Sequence, residues 1–196
     1  MYRRILFILV ILASFASAEV LFFEDFTSGN LDGWTLDPGE FGQRWIISSQ
    51  HFFNGPFGVL CEKGEDQDER LISPPICITS EVTVDFHWAT SYTWFVSPHN
   101  NGDYILEIRE AGGPGEWVGI WNEEEFGPFD NWVWNETEIE IGVLWYGHDV
   151  QFAWRIVADR AADAWLDTIT ISDDDSPDPE PVVQEVSFGQ IKAAYR

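Results

Sequence analysis

Val82-Thr83-Val84-Asp85-Phe86-His87-Trp88 alternates apolar and polar side chains without a break. A repeat of two residues is typical of a β-strand that buries one face. The same alternation returns over residues 104–109, 150–156 and 164–172, and turn-forming Gly, Pro and Asn residues separate these stretches. The pattern predicts an all-β domain over residues 19–172, built as a jelly-roll β-sandwich of two antiparallel sheets.

The first 18 residues have the three parts of a secretory signal peptide. Arg3 and Arg4 precede an apolar run, and Ala16-Ser17-Ala18 supplies the small residues of a cleavage site. The apolar run is shorter than the roughly 20 residues of a membrane-spanning helix. We therefore expect cleavage after residue 18, no membrane span afterwards, and a secreted or cell-surface location.

The composition changes after Ser172. Residues 173–186 are acidic and rich in proline, which predicts an extended linker rather than part of a core. Residues 187–196 form a tail with aromatic, apolar and basic side chains. The tail is either a frayed terminus or a sorting or docking signal read by surface-anchoring machinery.

The charge of the chain limits the classes of partner that it can bind. It has 34 acidic and 10 basic residues, which give a net charge of −24. Such a surface repels nucleic acid and anionic lipid. It suits divalent cations, neutral ligands such as sugars, or a basic extracellular protein. The two cysteines, Cys61 and Cys77, predict a disulfide in an exported chain; two buried free thiols are the alternative.

A set of motifs in a fixed order carries a family resemblance. They are Phe22-Phe23-Glu24-Asp25-Phe26, Leu31-Asp32-Gly33-Trp34, Trp45, Leu71-Ile72-Ser73-Pro74-Pro75-Ile76, Val84-Asp85-Phe86-His87-Trp88, Val150-Gln151-Phe152-Ala153-Trp154-Arg155 and Trp165-Leu166-Asp167-Thr168-Ile169. Over residues 20–172 the chain resembles the choice-of-anchor J family and its relatives, the cleaved adhesin and MAM domains. The resemblance implies an exported jelly roll, often joined to a C-terminal anchoring signal, with a role in adhesion.

The resemblance also implies structural calcium, since related adhesin domains bind it. Glu24 and Asp25 lie in the first predicted strand and Asp167 in the last, and the terminal strands of a jelly roll come close together. Calcium takes six to eight oxygen ligands, which carboxylates and loop carbonyls supply. Where many relatives carry an Asp-Asp pair, this chain has Asp167-Thr168. The alternative is that Asp167 accepts backbone donors or pairs with an arginine.

Tryptophan is abundant, with 11 residues in the chain. Trp94 and Trp121 are flanked by turn-forming and polar residues, which predicts a surface role for both. Indole faces stack on sugar rings or anchor protein partners, and Asn101 is placed to bind hydroxyl groups nearby. The alternative is that these tryptophans belong to the core.

Glu136, Glu138 and Glu140 would share one face of a strand, as catalytic carboxylates do in jelly-roll β-glucanases. A retaining glycosidase needs two carboxyl groups about 5–5.5 Å apart, whereas neighbours on one face of a strand are about 7 Å apart. We therefore predict no catalytic residues. The sequence favours a non-catalytic adhesion or carbohydrate-binding module; an exported glycan hydrolase and a structural surface component are the alternatives.

Overall fold

The computed structural model describes residues 19–39 and 45–173. The predicted signal peptide, the tail at 187–196 and nearly all of the predicted linker lie outside these residues. Asp173, assigned above to the linker, instead ends the last strand, where its side chain accepts the Glu19 N–H at 2.8 Å. Within the described ranges, no helix has the length and apolar character needed to cross a membrane.

Strands dominate the domain. They are β1 Val20–Glu24, β2 Thr35–Asp37, β3 Trp45–Ser48, β4 Gly58–Cys61, β5 Gln67–Ile72, β6 Ile76–Ile78, β7 Val82–Ala89, β8 Gly102–Glu110, β9 Val118–Asn122, β10 Asn135–Ile141, β11 His148–Ala158 and β12 Ala164–Asp173. Two four-residue helices lie in the connections, α1 Tyr92–Phe95 and α2 Glu123–Phe126. A 3-10 turn, Val143–Trp145, precedes β11.

The strands form two antiparallel sheets of six strands each, which confirms the predicted all-β sandwich. The first sheet has the order β10-β7-β12-β4-β3, and β1 pairs with the second half of β12. The second sheet has the order β2-β5-β11-β8-β9, and β6 pairs with the start of β11. A bulge between Asp167 and Ile169 separates the part of β12 that pairs with β4 from the part that pairs with β1.

The core lies between the sheets and follows the alternation of β7. Val84, Phe86 and Trp88 are fully buried, as predicted. Phe86 meets Trp154 of β11 edge to face, with ring centroids 5.7 Å apart. Aromatic pairs in this geometry add about 0.5–1.5 kcal/mol to the gain from burial, so these rings fix how the two sheets face each other.

The outer face of the first sheet carries a second, smaller apolar cluster. Leu60, Ala89 and Trp165 are buried there, and Trp134 packs against them. The loop between β3 and β4 covers this cluster, with His51 stacked on Trp134 at 4.8 Å between ring centroids. This face is therefore closed by the protein itself.

The predicted disulfide is wrong, because no bond joins Cys61 to Cys77. Cys61 is buried in β4 of the first sheet and belongs to the core. Cys77 lies on β6 of the second sheet, exposed between the buried Ile76 and Ile78. Since the two thiols are on different sheets and one faces inward while the other faces solvent, they cannot meet without rearranging both strands.

Candidate functional site: a tryptophan-lined cleft

Four loops meet at one end of the sandwich. In the first sheet, the start of β12 pairs with the ends of β4 and β7. In the second sheet, Ala158 at the end of β11 pairs with Gln67 and Gly102 at the starts of β5 and β8. The connections β4–β5, β7–β8, α2–β10 and β11–β12 therefore emerge together, and they enclose a cleft.

This cleft has a volume of about 480 Å³, a size typical of small-molecule sites. Its main side chains are Lys63, Glu65, Trp94, Trp132, Arg160 and Asp163. We call it the tryptophan cleft. The loops that form it are tied together by backbone hydrogen bonds, among them Arg160 N–H to the Gly64 carbonyl at 2.8 Å and Trp132 N–H to the Thr90 carbonyl at 2.9 Å.

Asn131 joins the two loops that carry the tryptophans. Its Oδ1 accepts the Ser91 hydroxyl at 3.0 Å and the Thr93 N–H at 3.1 Å. Its Nδ2 donates to Thr93 Oγ1 at 3.0 Å. Trp132 follows with a φ of +66°, a left-handed conformation that is uncommon for a residue with a side chain. Such strain persists only where surrounding contacts enforce it, and it concentrates at functional sites.

Two indole rings are exposed in this cleft. Trp94 is 40% exposed and stacks on His99, with ring centroids 4.2 Å apart. Trp132 is 45% exposed. Within the part of the chain that the structure describes, Trp132 makes no aromatic contact, and neither indole N–H is hydrogen-bonded. Both rings therefore offer a flat apolar face and a free donor to a ligand.

The charges in the cleft are balanced. Arg160 Nε lies 2.9 Å from Glu65 Oε1, and Asp163 Oδ1 accepts the backbone N–H of Lys63 at 2.9 Å. Because Arg160 and Glu65 are largely exposed, this pair contributes little to stability. It presents both hydrogen-bond donors and acceptors at the mouth of the cleft.

A second polar surface covers the outer face of the second sheet. Glu107 is buried and binds two guanidinium groups, Arg70 Nε at 2.7 Å and Arg155 Nη1 at 3.0 Å. Arg155 also forms a two-bond pair with Asp68, which lowers the pKa of that carboxyl. Arg109 lies over the Trp117 ring, 4.2 Å from its centroid. On this surface Arg70 and Arg155 therefore bind carboxylates of the protein, and the Trp117 ring lies against Arg109.

Two of the three predicted ligand-binding residues are neighbours in space. The Asn101 N–H donates to the Trp94 carbonyl at 2.9 Å, and Trp94 lines the cleft. The prediction for Trp121 is wrong: it is 5% exposed and packs edge to face against Phe86 and Trp88. Trp132 was not among the predicted ligand-binding residues, because no periodicity marks it. The only signal was its place beside Asn131 in the polar loop after Gly127-Pro128.

The three predicted calcium ligands each bind donors of the protein. Asp167 Oδ2 accepts the N–H groups of Phe53 and Asn54, and Oδ1 accepts that of Thr168. Glu24 accepts the Phe26 N–H and the Trp34 indole, and Asp25 accepts Thr27. Across residues 19–39 and 45–173, no three His, Cys, Asp or Glu side chains form a group that could hold a metal. These carboxylates therefore do not make one site, and calcium binding stays a prediction.

The loop that follows Asp25 is nevertheless in contact with the β3–β4 loop, which Asp167 binds. A Cβ atom on Gly55 would lie 2.4 Å from Cγ2 of Thr27, and one on Gly29 would lie 3.1 Å from the ring of Phe57. The two loops can approach this closely because glycine has no side chain. Both glycines also have a positive φ, which glycine adopts without strain.

The glutamates of the hydrolase alternative lie on an open strand face. Glu136, Glu138 and Glu140 are all exposed on the edge strand β10. Glu138 pairs with Asp85 of β7, and this acidic neighbour contributes, after burial, to raising the pKa of Asp85. A row of exposed glutamates is the ordinary composition of a solvated edge.

The chain resembles known proteins in its fold, although not in its sequence. No protein-family model and no curated protein sequence matches the chain, so membership of the choice-of-anchor J family stays a prediction. Solved structures do match. The K3 cleaved adhesin domain of Lys-gingipain from Porphyromonas gingivalis has a TM-score of 0.59 at 15% identity, over 80% of this chain and 99% of that domain.

Two carbohydrate-binding modules share the same architecture. A family 61 module in complex with β-1,4-galactotriose has a TM-score of 0.55 at 12% identity, over 76% of this chain and 93% of that one. The CBM22-1 xylan-binding domain of Xyn10C from Paenibacillus barcinonensis has a TM-score of 0.54 at 12% identity, over 81% of this chain and 97% of that one. At such low identity the likeness concerns the fold alone.

Proposed function

We propose that this chain is a non-catalytic module that binds a glycan in the tryptophan cleft. The observation that carries the proposal is the pair of exposed indoles, Trp94 and Trp132, on two loops that Asn131 holds together. Exposed tryptophans that face one cleft leave apolar area in water, and burying that area against a ligand is favourable.

A neutral polyhydroxyl ligand fits the chemistry of the cleft. Sugar rings have flat apolar faces that stack on indole, and their hydroxyl groups need both donors and acceptors. The indole N–H groups and Arg160 donate, while Glu65 and Asp163 accept. The net charge of −24 adds a general repulsion against anionic ligands. The adhesin domains and carbohydrate-binding modules of the same fold support the class of function, and they do not identify the ligand.

Binding to xylan and to β-1,4-galactan, measured by affinity electrophoresis and calorimetry, tests this proposal. Trp94→Ala and Trp132→Ala should each weaken binding at least about fivefold, since a buried aromatic anchor is worth more than about 1 kcal/mol. Trp117→Ala is the matched control, because Trp117 lies on the outer face of the second sheet. If Trp117→Ala alone abolished binding, the ligand would lie on that face and the proposal for the cleft would fail.

An extracellular protein ligand is the second candidate for the same cleft, since exposed tryptophans also anchor protein interfaces. Retention on a glycan array without turnover favours the glycan. Release of reducing sugar from a soluble glucan, lost in Glu136→Gln or Glu140→Gln, would favour the hydrolase. Self-assembly that needs residues 187–196 would favour a structural surface component.

Export and calcium complete the proposal. The signal peptide at 1–18 takes the chain out of the cytoplasm, and the tail at 187–196 delivers it to anchoring machinery. A calcium ion would stabilise the contact between the loops around Thr27 and Gly55. Thermal unfolding with calcium and with excess chelator tests this, since a ligand of the native state raises the melting temperature. If the melting temperature of the wild type were the same with calcium and with chelator, the calcium proposal would be wrong.

A further inference from the structure

A second depression lies beside the tryptophan cleft. It has a volume of about 630 Å³ and is lined by polar side chains. These side chains are Asp66, Gln67, Asn100, Asn101, Asp103 and Asp159. We call it the asparagine depression. Two of its three wall segments continue a segment of the cleft: residues 63–65 line the cleft and 66–67 the depression, and residues 160–163 line the cleft and 157–159 the depression.

Two residues connect the depressions directly. The Asn101 N–H donates to the Trp94 carbonyl at 2.9 Å, and the Asn101 carbonyl accepts the Asp159 N–H at 2.8 Å. Arg160 lies on the boundary, where its Nε is 2.9 Å from Glu65 in the cleft and 3.9 Å from Asp159 in the depression. The Arg160 side chain is 68% exposed, so at this point an exposed side chain lies between the two depressions.

Gly102 lies beneath this boundary, where there is no room for a side chain. A Cβ atom there would lie 3.0 Å from Cβ of Ala158, 3.1 Å from Cβ of Ala161 and 3.3 Å from the ring of Phe95. These neighbours are buried, so the start of β8 packs tightly against them only because position 102 has no side chain. Gly102 and Ala158 line the depression and Ala161 lines the cleft, so closely packed residues join the two.

We infer that the cleft and the depression are two parts of one groove, and that its ligand is a linear oligosaccharide that spans both rather than a single terminal sugar. The inference rests on the proposed function and specifies its ligand class. The tryptophan cleft stacks on sugar rings at one end of the groove. Asn100, Asn101 and Asp103 bind hydroxyl groups of further units at the other end. Within the described ranges, Asp66 and Asp103 form no ion pair, which leaves their carboxylates free to accept from hydroxyls.

Calorimetry with xylobiose, xylotriose, xylotetraose and xylohexaose, and with β-1,4-galactobiose and β-1,4-galactotriose, tests the inference. In the series that binds, affinity should rise at least about tenfold from the shortest to the longest member and then level off when the groove is full. Asn101→Ala should weaken binding of the longest member about fivefold, as expected for one lost hydrogen bond. The same variant should leave binding of the disaccharide unchanged, whereas Trp94→Ala should weaken both.

A second variant guards against misfolding. Asn100 has a φ of +50°, so Asn100→Gly removes the side chain at a position where glycine is conformationally free. It should show the same length-selective loss as Asn101→Ala. Glu138→Gln, on the far edge strand β10, is the matched control and should bind every length as the wild type does.

The failures are distinguishable. Binding that needs Trp94 but has the same affinity for short and long members would overturn the single groove and leave the proposed function standing. If Asn101→Ala weakened binding of short and long oligosaccharides equally, the single groove would likewise be overturned and the proposed function would stand. If no oligosaccharide of either series bound, both the proposed function and this inference would fall.

Discussion

Asp167 in β12 accepts the backbone N–H of Phe53 through Oδ2 at 2.7 Å, across 114 positions of sequence. The same oxygen accepts the Asn54 N–H at 3.2 Å, and the carboxyl is fully buried. Burial raises the pKa of Asp167, while the hydrogen bonds from Phe53, Asn54 and Thr168 act against that rise. This carboxylate therefore holds the β3–β4 loop on the outer face of the first sheet, where Phe53 stacks on His87.

Asp167→Ala should destabilise the domain by about 1–3 kcal/mol, because it removes the charged acceptor of the partly buried N–H groups of Phe53 and Asn54. Asp167→Asn retains one carbonyl oxygen and should cost less. Denaturant unfolding measures both values, and Asp25→Ala, at an exposed turn, is the matched control. Equal stability of Asp167→Ala and wild type would mean that the loop does not depend on this carboxylate.

The alternation in the sequence predicted the core well, and it predicted the loops poorly. Val84, Phe86 and Trp88 are buried because a strand with one buried face dictates both the pattern and the burial. For Trp121 the local pattern is uninformative, since its inward direction depends on pairing with Leu106 next to a bulge. That register is set by β8, a strand about fifteen residues earlier in the sequence.

The site itself depended on long-range contacts. Trp94 was recognisable from its polar neighbours, but the exposure of Trp132 follows from the Asn131 bonds to Ser91 and Thr93, some 40 positions away. The error with Cys61 and Cys77 has the same origin: their number and the export signal favoured a bridge, and only the structure shows that Cys61 faces the core while Cys77 faces solvent.

The two tryptophans predicted to be on the surface should differ sharply when truncated. Trp121→Ala removes a ring packed against Phe86 and Trp88 and should cost about 3–5 kcal/mol. Trp94→Ala removes a ring that is 40% exposed and should cost less than about 1 kcal/mol. Denaturant unfolding followed by circular dichroism makes the comparison. A large loss in Trp94→Ala would mean that the ring supports the loops rather than serving a ligand.

Glu123 should make stability depend on pH. Burial raises its pKa from 4.5 to about 8, although the Tyr104 N–H donates to Oε2 at 2.7 Å and opposes the rise. Oε1 has no hydrogen-bond partner among the described residues. Because the folded state holds this proton more tightly than the unfolded state, its contribution is complete below about pH 4.5 and is lost as the pH rises through about 8.

Glu123→Gln should remove this dependence and make the domain more stable than wild type at pH 9. Urea unfolding at intervals from pH 5 to pH 9 measures the slope. Glu125→Gln, at an exposed position of the same helix, is the matched control and should keep the wild-type slope. A wild-type stability that stayed level between pH 5 and pH 8 would contradict the buried, protonated state of Glu123.

The thiols should react in two separate steps. Cys77 is exposed, but its hydrogen bond with Asp149, followed by desolvation and the charge of that residue, raises its pKa. Since the thiolate is the reactive form, native protein should label slowly at Cys77, and Asp149→Asn should label faster. Cys61 should react only after unfolding. In Cys77→Ala no native labelling is expected, and a reductant should leave the melting temperature of the wild type unchanged.

Asn131 should control the order of the tryptophan cleft without contributing to the core. It bonds both Ser91 and Thr93, and the next residue, Trp132, donates its N–H to Thr90 in a left-handed conformation. Asn131 is exposed, so Asn131→Ala leaves the core intact. The variant removes three side-chain hydrogen bonds, and the loop loses contacts that hold its strained backbone. The amides of Thr93 and Trp132 should then exchange with solvent faster, while those of β7 should keep their protection.

Hydrogen exchange followed by NMR separates these groups of amides, and Asn30→Ala, which removes a side-chain acceptor in a different loop, is the matched control. Ordering the loop on binding costs free energy, so Asn131→Ala should also bind a glycan more weakly with a less favourable entropy. Unchanged exchange at Trp132 would show that the Thr90 carbonyl alone holds the loop. In that case the backbone conformation of Trp132 itself would set the orientation of its ring, and the loop would keep its structure without the Asn131 hydrogen bonds.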